Sequence, residues 1–514
     1  MSPHVPIVEA GAVVFMGARM KGLNTGKGVG ISVVSGVASW LVALAAIAGT
    51  PCDASADPAP AGLEWPQFRG PGASGIGVGG FPDRFGPGTN EAWAIDVPPG
   101  NSSPVISGQR LFLTGFSGGE LVVLALDART GREAWRRVLA PGRIERGARL
   151  GNPATATCAT DGRVVVSYFG PFGLVSHDMD GTERWRHPLP TPLTQHGAGT
   201  SPVIVGDLVL LNQDQDTGSY LLAVGLADGR TRWRVDRPHA RRGFSTPLAW
   251  PPGKPEAVVV AGTLQLDAYR VGDGSPLWRV QGLPNEMVSS PVAGDGMLFV
   301  AGWTAGSGVG RMPAWDDLMA NGDANHDQRL SSAEAPAGPA RQHFAYLDAD
   351  KDGQLSAGEY AAAAHAFDAS RNVAMAVRPG GVGDVTGTAV LWTFPRGLPY
   401  CPTPLLLGER LWLVRNGGLV TVLDARTGRA VLQEERLGTL GDHYASPVAS
   451  GDRVCIVAQS GTAVVLRAGD TLDVVARNPL GDAVVATPAI AHGRIHVRTA
   501  TRLHAFGPSH GGAR

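Results

Sequence analysis

A repeated phrase limits the folds that this 514-residue chain can adopt. Each copy has a small residue and Pro, an apolar stretch, a Gly or Asp, and a second apolar stretch, as in SSPVISGQRLFLTG. The prolines that mark the copies, including the looser ones, are Pro104, Pro153, Pro202, Pro247, Pro291, Pro404, Pro447 and Pro488. Six of the seven intervals measure 41 to 49 residues, and the interval after Pro291 measures 113. Repeats of this length predict propeller blades, each of four short strands that we letter A to D.

A second phrase, Gly-x-x-x-Trp, lies between the prolines of several copies. The matching pairs are Gly131 and Trp135, Gly181 and Trp185, Gly229 and Trp233, and Gly274 and Trp278. Glycine permits the positive φ of a tight hairpin turn, and the side chain of the Trp four residues later can project from strand D. We therefore predict that these Trp side chains dock neighbouring blades.

The two ends of the repeat region complete each other. After Pro488 the chain supplies strands B and C without a strand D, whereas EAWAIDV at Glu91 to Val97 resembles a strand D with no strand before it. We predict that Ala92 to Val97 pairs with Arg502 to Phe506. This pairing would close an all-β, eight-bladed propeller of four-stranded antiparallel blades and leave no open sheet edge.

The blade phrases also resemble a known family. Ala125, Asp127, Gly131 and Trp135 match the pattern Ala-x-Asp-x-x-x-Gly-x-x-x-Trp, which resembles the docking motif of the PQQ-like (pyrroloquinoline-quinone-type) β-propeller repeat family. The opening EWPQFRGPGASGIG resembles secreted bacterial members, and the likeness covers residues 64–507 outside one insertion. The resemblance implies the fold. It leaves the activity open, because the family includes quinoprotein dehydrogenases, a subunit of outer-membrane protein assembly and secreted members of unknown role.

The N-terminal residues resemble an export signal. An uncharged apolar run at 28–49 follows Lys21 and Lys27 and precedes small residues, so we predict a leader over residues 1–56 that starts at Met1 or Met20. We expect a periplasmic or extracellular protein. Membrane association through an uncleaved N-terminal segment stays an alternative, because a spanning helix needs about 20 residues.

Charge and cysteine content exclude some classes. The 44 Lys and Arg residues balance 45 Asp and Glu, so we expect no nucleic-acid partner. Beyond the leader the cysteines are Cys158, Cys401 and Cys455, which are neither adjacent nor in Cys-x-x-Cys spacing. A disulfide framework, a zinc ribbon and a c-type haem are therefore not supported.

The long interval contains an insertion of 68 residues, 304–371. It follows LFVAGW, a predicted strand B, and precedes NVAMAVR, a predicted strand C. The propeller is thus predicted in two parts, 57–303 and 372–507, with a tail at 508–514. Because strands alternate in direction, B–C and D–A loops emerge on one face, where the family resemblance places ligands.

The insertion contains two twelve-residue loops with EF-hand spacing, which predicts a small α-helical EF-hand pair. The second loop, DADKDGQLSAGE, has Asp348, Asp350, Asp352, Gln354 through its carbonyl, Ser356 and Glu359 at the ligand positions, and Gly353 at the turn. Hard oxygen ligands in this order predict a Ca²⁺ site. Leu355 at position 8 should pair with its counterpart in the first loop.

The first loop, DANHDQRLSSAE, is a weaker match. Its ligand positions hold Asp323, Asn325, Asp327, Arg329 through its carbonyl, Ser331 and Glu334. Gln328 stands where glycine is expected, which costs on the order of 1 kcal/mol in the left-handed region.

Three functions compete on these observations. The first is a non-catalytic protein that binds a protein, glycan or small ligand on the B–C/D–A loop face, with Ca²⁺ ordering the insertion. The second is a quinoprotein dehydrogenase, and the third is an envelope scaffold such as a component of outer-membrane protein assembly. Many quinoproteins add an adjacent-cysteine disulfide and a haem motif that this sequence lacks, so we favour the first and do not expect PQQ as cofactor.

Overall fold

The computed structural model describes residues 63–144, 151–194, 196–305 and 312–509. Contacts divide the chain into residues 1–54 and 55–514, and the fold below belongs to the second unit. The predicted leader, residues 1–56, lies outside the described residues, as does the tail beyond residue 509. Within the described ranges, no helix has the length and apolar character needed to cross a membrane.

The described residues form eight antiparallel blades. The strands A to D of the first four are Val105–Ser107, Arg110–Ser117, Glu120–Asp127 and Glu133–Leu139; Ala159–Thr160, Val164–Phe169, Gly173–Asp178 and Glu183–His187; Val203–Val205, Leu208–Gln213, Tyr220–Gly225 and Thr231–Asp236; and Leu248–Trp250, Ala257–Ala261, Gln265–Arg270 and Pro276–Gln281. A short parallel strand, Gly383–Asp384, extends blade 4 beyond its strand D.

The remaining blades follow the same order. Their strands are Val292–Gly294, Met297–Gly302, Val373–Val377 and Val390–Phe394 in blade 5; Leu405–Leu407, Arg410–Arg415, Leu419–Asp424 and Ala430–Arg436 in blade 6; Val448–Ser450, Arg453–Val457, Thr462–Arg467 and Asp473–Pro479 in blade 7; and Ala489–Ala491, Arg494–Arg498, Arg502–Phe506 and Glu91–Asp96 in blade 8. Most neighbouring A strands contact each other, so strand A is the inner strand of each blade.

The predicted closure is confirmed. Glu91–Asp96 pairs antiparallel with Arg502–Phe506, with Trp93 opposite Ala505 and Asp96 opposite Arg502. The N-terminal strand is thus strand D of the last blade. A break between these two segments would open the propeller at one edge.

The Trp side chains dock one blade on the next. Trp93 donates its indole N–H to the carbonyl of Ala128 at 3.2 Å, and a Cβ on Gly131 would lie 2.7 Å from that indole. Trp135, Trp185 and Trp233 repeat this arrangement on the following blades. Trp392, which the Gly-x-x-x-Trp spacing missed, docks on Gly428 in the same way. Glycine is therefore required at the turn both for its positive φ, 74° at Gly131, and for contact with the indole.

One predicted repeat position is wrong. In blade 2, strand A begins at Ala159, directly after Cys158, so Cys158 occupies the place that proline holds in the other blades. Pro153 lies five residues too early. Its neighbour Ala154 instead accepts backbone hydrogen bonds from Asn101 and Ser102, which tie blade 2 to the connection before blade 1.

The apolar core lies between the blades. Buried clusters pair residues of adjacent blades; for example, Phe112 and Trp135 of blade 1 pack with Val165 and Val175 of blade 2. The cluster at the closure joins blades 7, 8 and 1. Each blade therefore buries its faces only when its neighbours are present, as expected for a repeat fold.

The opening segment, residues 63–77, runs along the inner strands, and we call it the plug. Leu63–Trp65 pairs with strand A of blade 1, and Pro66 accepts the N–H of Thr160 in blade 2 at 2.8 Å. Further along, Ile76 bridges Ala449 of blade 7. The plug thus contacts A strands around much of the axis.

The insertion, residues 304–371, leaves blade 5 between strands B and C, as the sequence predicts. We call it the insert. Its helices are Trp315–Gly322, Pro339–Gln342, Phe344–Leu347 and Ala357–Ala369; a fifth helix, Thr386–Ala389, follows strand C. The short strands Leu330–Ser331 and Gln354–Leu355 pair with Leu330 opposite Leu355, as predicted. The insert has its own small core, which includes Phe344 and Tyr360.

Candidate functional site

An axial cavity of about 250 Å³ lies where the D–A connections meet. Each of the eight connections contributes to the lining, and the plug contributes Phe68. The larger side chains of the lining are Phe68, His196, Phe244, Val288, Tyr400, Tyr444 and Val485. The cavity therefore lies at the loop face that the sequence predicts for ligands, and it is sized for one small organic molecule.

Eight hydroxyl side chains surround this cavity, one from each blade, and we call them the hydroxyl ring. They are Ser103, Thr157, Ser201, Thr246, Ser290, Thr403, Ser446 and Thr487. In seven blade-to-blade links, the backbone N–H of one ring residue donates to the hydroxyl oxygen of the next at 2.9 to 3.2 Å. The Ser or Thr of the repeated phrase is thus an inter-blade hydrogen-bond acceptor, a role that the sequence analysis did not assign.

Two fully buried arginines lie behind the ring. Arg69 of the plug donates to five backbone carbonyls, among them those of Thr403 at 3.4 Å and Pro404 at 2.7 Å. Arg498 donates to the carbonyl oxygen of Ser102 at 3.1 Å and to its hydroxyl at 2.6 Å. Burial lowers the pKa of each guanidinium to about 9.

A partly buried carboxyl group lies near the cavity mouth. Burial raises the pKa of Glu286, while the nearby Arg242 opposes this shift. Glu286 hydrogen-bonds to Tyr400, and burial raises the pKa of that phenol as well. Cys401 follows Tyr400, and burial raises the pKa of its thiol to about 12, so it stays protonated. Sequence reasoning missed Glu286, because a single Glu in a loop carries no motif.

A comparison of the sequence with protein families identifies its relatives. The family model described as "Outer membrane protein assembly factor BamB" matches residues 88–220, 119–280 and 217–513. The chain belongs to this family of PQQ-type repeat propellers. No curated protein sequence matches the chain.

Solved structures of this propeller type show the same fold at low sequence identity. BamB from Moraxella catarrhalis is 13% identical, with a TM-score of 0.51 over 82% of this chain and 100% of that chain. A europium-containing methanol dehydrogenase is 10% identical, with a TM-score of 0.55 over 85% and 89%. Quinohemoprotein alcohol dehydrogenase from Comamonas testosteroni is 13% identical, with a TM-score of 0.50 over 88% and 82%. These likenesses establish the fold, which BamB-type and dehydrogenase propellers share.

The second predicted metal loop of the insert brings its carboxylates together. One oxygen each from Asp348, Asp350 and Asp352 lies within 4.8 Å of the others. Asp348 is 6% exposed, and its Oδ1 atom has no hydrogen-bond partner in the described part of the chain. The side-chain oxygen of Gln354 is also buried without a partner there. These unpartnered oxygens suit a cation ligand set.

The last position of this loop, Glu359, is engaged in hydrogen bonds. Its Oε2 accepts from Ser356 N at 2.9 Å and forms a capping box with that residue, and its Oε1 accepts from Ala349 N at 2.9 Å. Burial works to raise the pKa of Glu359, but these hydrogen bonds lower it overall. The carboxylate therefore stays ionised and lies beside the loop that it is predicted to close.

The first predicted loop is folded but does not gather its carboxylates. Asp327 N donates to Asp323 Oδ1 at 3.1 Å and to Asn325 Oδ1 at 2.9 Å. Gln328 has the predicted left-handed φ of 64°. The Glu334 carboxylate accepts from Ser331 N at 2.9 Å. Among the described residues, only the second loop forms a group of three close carboxylates.

The two loops are joined by one ion pair. Arg329, predicted to offer only its carbonyl, places Nη1 2.7 Å from Asp352 Oδ2. Arg329 and Asp352 are each roughly half exposed. The contact aligns the loops and contributes little stability by itself.

The insert also contacts the propeller through charged groups. Lys351, in the second loop, places Nζ 3.0 Å from Asp216 Oδ2 in the B–C loop of blade 3. Arg242 donates to both oxygens of the same carboxylate at 2.7 and 2.8 Å. Arg241 donates to the carbonyl of Tyr346 at 3.1 Å. The guanidinium groups of Arg241 and Arg242 both lie over the Tyr346 ring. Asp216, Arg241 and Arg242 are therefore buried in an interface between the propeller loops and the insert.

Proposed function

We propose that this protein is a non-catalytic, ligand-binding propeller of the bacterial envelope whose insert binds Ca²⁺ and braces the loop face. The periplasmic or extracellular location rests on the predicted leader. The family match supports the propeller part. The observation that carries the calcium part is the close group of Asp348, Asp350 and Asp352, with an unpartnered oxygen on the buried Asp348.

Bracing follows from where the calcium loop lies. Lys351 is part of that loop and meets the buried Asp216 of blade 3. Three carboxylates so close repel each other, and a cation at the loop centre would relieve that repulsion. Ca²⁺ would thus hold Lys351 in place and keep the insert against the loops of blades 3 and 4.

Calorimetric titration with Ca²⁺ tests this proposal. We expect one binding event with a dissociation constant at or below roughly 1 mM, which extracellular calcium would saturate. Glu359→Gln should abolish it, whereas the matched change Glu334→Gln in the first loop should leave it in place. Chelation should expose residues 312–367 to protease while the propeller stays folded. Absence of calcium binding, or a chelator that melts propeller and insert together, would contradict the proposal.

The family match favours a second candidate, a role in outer-membrane protein assembly. The matching model is named for an assembly factor and covers nearly the whole propeller. If this chain has that role, its loss should lower the amount of folded outer-membrane proteins in cells. Unchanged amounts of folded outer-membrane proteins would contradict the assembly role and favour the ligand-binding function.

The alternative of a quinoprotein dehydrogenase has less support in the site. The adjacent cysteines that the family resemblance links to quinone chemistry are missing at the cavity, where Tyr400 and Pro402 flank Cys401. The candidate calcium loop does not line the cavity either. We expect no dye-linked oxidation of alcohols or aldose sugars by the PQQ-treated protein, and turnover would overturn this expectation.

A further inference from the structure

The hydroxyl ring has hydrogen-bond donors to offer to the axial cavity. Seven ring hydroxyls use a lone pair to accept a backbone N–H from the neighbouring blade. None of the eight donates its proton to an acceptor within the described ranges. Each O–H is therefore available to a molecule in the cavity.

Positive charge lies at the level of the ring. Arg69 bonds the carbonyl of the ring residue Thr403, and Arg498 bonds Ser102, the neighbour of ring residue Ser103. Both guanidinium groups are fully buried and donate only to neutral oxygens, with no carboxylate partner in the described part of the chain, and the Nε of Arg498 has no hydrogen-bond partner there. A buried charge without a counter-ion is costly, so an anion near the ring would compensate both groups.

The mouth of the cavity has the opposite character. Tyr444 donates to Asp442 at 2.7 Å, and Tyr400 hydrogen-bonds to Glu286. Each carboxyl precedes the ring residue of its blade by four positions, on the loop side, and neither lines the cavity. The apolar lining residues here are Phe68, Phe244, Val288 and Val485. This end disfavours an anion and suits an uncharged, apolar group.

We propose that the axial cavity binds a small organic carboxylate, with its charged group at the hydroxyl ring and its apolar body toward the loops. The ring hydroxyls donate to the carboxylate, and the field of Arg69 and Arg498 stabilises its charge. The aromatic and aliphatic walls bury the body. This inference rests on the ligand-binding part of the proposed function and does not depend on calcium in the insert.

Benzoate and its uncharged isostere benzamide form a matched pair of probes for the full-length protein. We expect benzoate to bind in calorimetry at neutral pH and to raise the melting temperature, because binding only to the folded state stabilises it. Benzamide should bind roughly tenfold more weakly, the difference expected for a hydrogen bond to a charged group.

A pair of Thr→Val variants tests whether benzoate binds at the hydroxyl ring. Thr246 of the ring accepts Ser201 N at 3.2 Å, and Thr421 of blade 6 accepts Glu434 N at 3.1 Å, so each variant loses one similar hydrogen bond. Thr246→Val should lower benzoate affinity roughly tenfold, and Thr246→Ser should restore it. Thr421→Val should leave the affinity unchanged. If Thr246→Val does not fold, Val485→Asp should weaken benzoate binding more than the uncharged change Val485→Asn does.

Three results would overturn the proposal. The first is no benzoate binding up to about 10 mM, which is weaker than a specific site would show. The second is equal affinity for benzoate and benzamide, which would indicate a site for neutral molecules. The third is equal affinity in Thr246→Val and Thr421→Val, or in Val485→Asp and Val485→Asn, which would place the carboxylate elsewhere.

Discussion

The eight blades repeat one set of contacts around the axis, whereas the insert has its own core and contacts the propeller through a few polar and charged groups. A blade is held by indole docking, by the hydroxyl ring and by apolar clusters shared with its neighbours. The insert is tied at its base, where Asn372 bonds both Thr304 N and Thr304 O, and at Lys351 and Tyr346. Shared burial makes the propeller cooperative, while the insert can gain or lose order with little effect on it.

The largest expected effect comes from removing the closure. Deletion of residues 91–96 removes a whole strand and Trp93, whose loss alone should cost about 3–5 kcal/mol. We expect the propeller to lose its cooperative thermal transition. As a control, replacing residues 305–369 with a short Gly-Ser turn should shift the melting temperature by only a few degrees, because Thr304, Ser370 and Asn372 keep their hydrogen bonds to the propeller. Equal destabilisation by both deletions would show that the insert is part of the propeller core.

The docking glycine should matter more than a glycine in an open turn. Gly131 and Gly118 both have positive φ, 74° and 62°, so alanine costs about 1 kcal/mol of backbone strain at either position. At Gly131 the new Cβ would also lie 2.7 Å from the Trp93 indole, whereas Gly118 has open space. We expect Gly131→Ala to cost about 2–4 kcal/mol in chemical denaturation and Gly118→Ala about 1. Equal losses would mean that the indole can move aside without cost.

The same docking contacts should make the propeller sensitive to acid. Burial lowers the pKa of His177 to about 4 and that of His496 to about 3, and each ring lies 5.8 Å from a docking Trp. In the unfolded chain these histidines are protonated near pH 6.5, whereas in the folded protein they stay neutral to lower pH. The full unfolding free energy is therefore present above pH 6.5, and part of it is lost as the pH falls toward 4. Each histidine should account for about 2 kcal/mol lost by pH 5.

Denaturation at pH 7 and pH 5 measures this loss. His177→Gln should lose about 2 kcal/mol less than the wild type between the two pH values. The exposed His326 of the insert provides the control, since His326→Gln should leave the difference as it is. An unchanged pH dependence in His177→Gln would place the acid sensitivity elsewhere.

The repeating pattern of this molecule could be predicted from the sequence, whereas single copies that depart from the pattern could not. The blade number and the closure follow from proline spacing and from the unpaired strand at Glu91. The start of strand A in blade 2 was not predicted, because Cys158 replaces the proline in that copy. The docking role of Trp392 was not predicted, because the helix Thr386–Ala389 alters its spacing from glycine. A repeat position that lacks the usual residue or spacing is recognised only from its contacts with the neighbouring blade.

The cavity and the interface of the insert depend on contacts that are distant in sequence. The Ser or Thr of each repeat was visible, but its role requires the next blade, whose ring residue lies 41 or more positions away. The path of the plug is also set by tertiary contacts, since Arg69 bonds residues more than 300 positions later. The carboxylate order of the metal loop was readable because its ligands are adjacent in sequence.

The smallest expected effect on the propeller comes from the one lysine that joins the two regions. Lys351 is about one-third exposed, and its partner Asp216 is also held by two hydrogen bonds from Arg242. Lys351→Met should therefore change the unfolding free energy of the propeller by less than about 1 kcal/mol. Arg242→Met, by contrast, leaves a buried carboxylate without its main partner and should cost about 3–5 kcal/mol. Chemical denaturation measures both changes, and limited proteolysis of Lys351→Met should show faster cleavage within 312–367, because the insert loses its hold on blade 3. If Lys351→Met lowered the unfolding free energy of the propeller as much as Arg242→Met, the insert would contribute directly to the stability of the blades. The propeller and the insert would then unfold together.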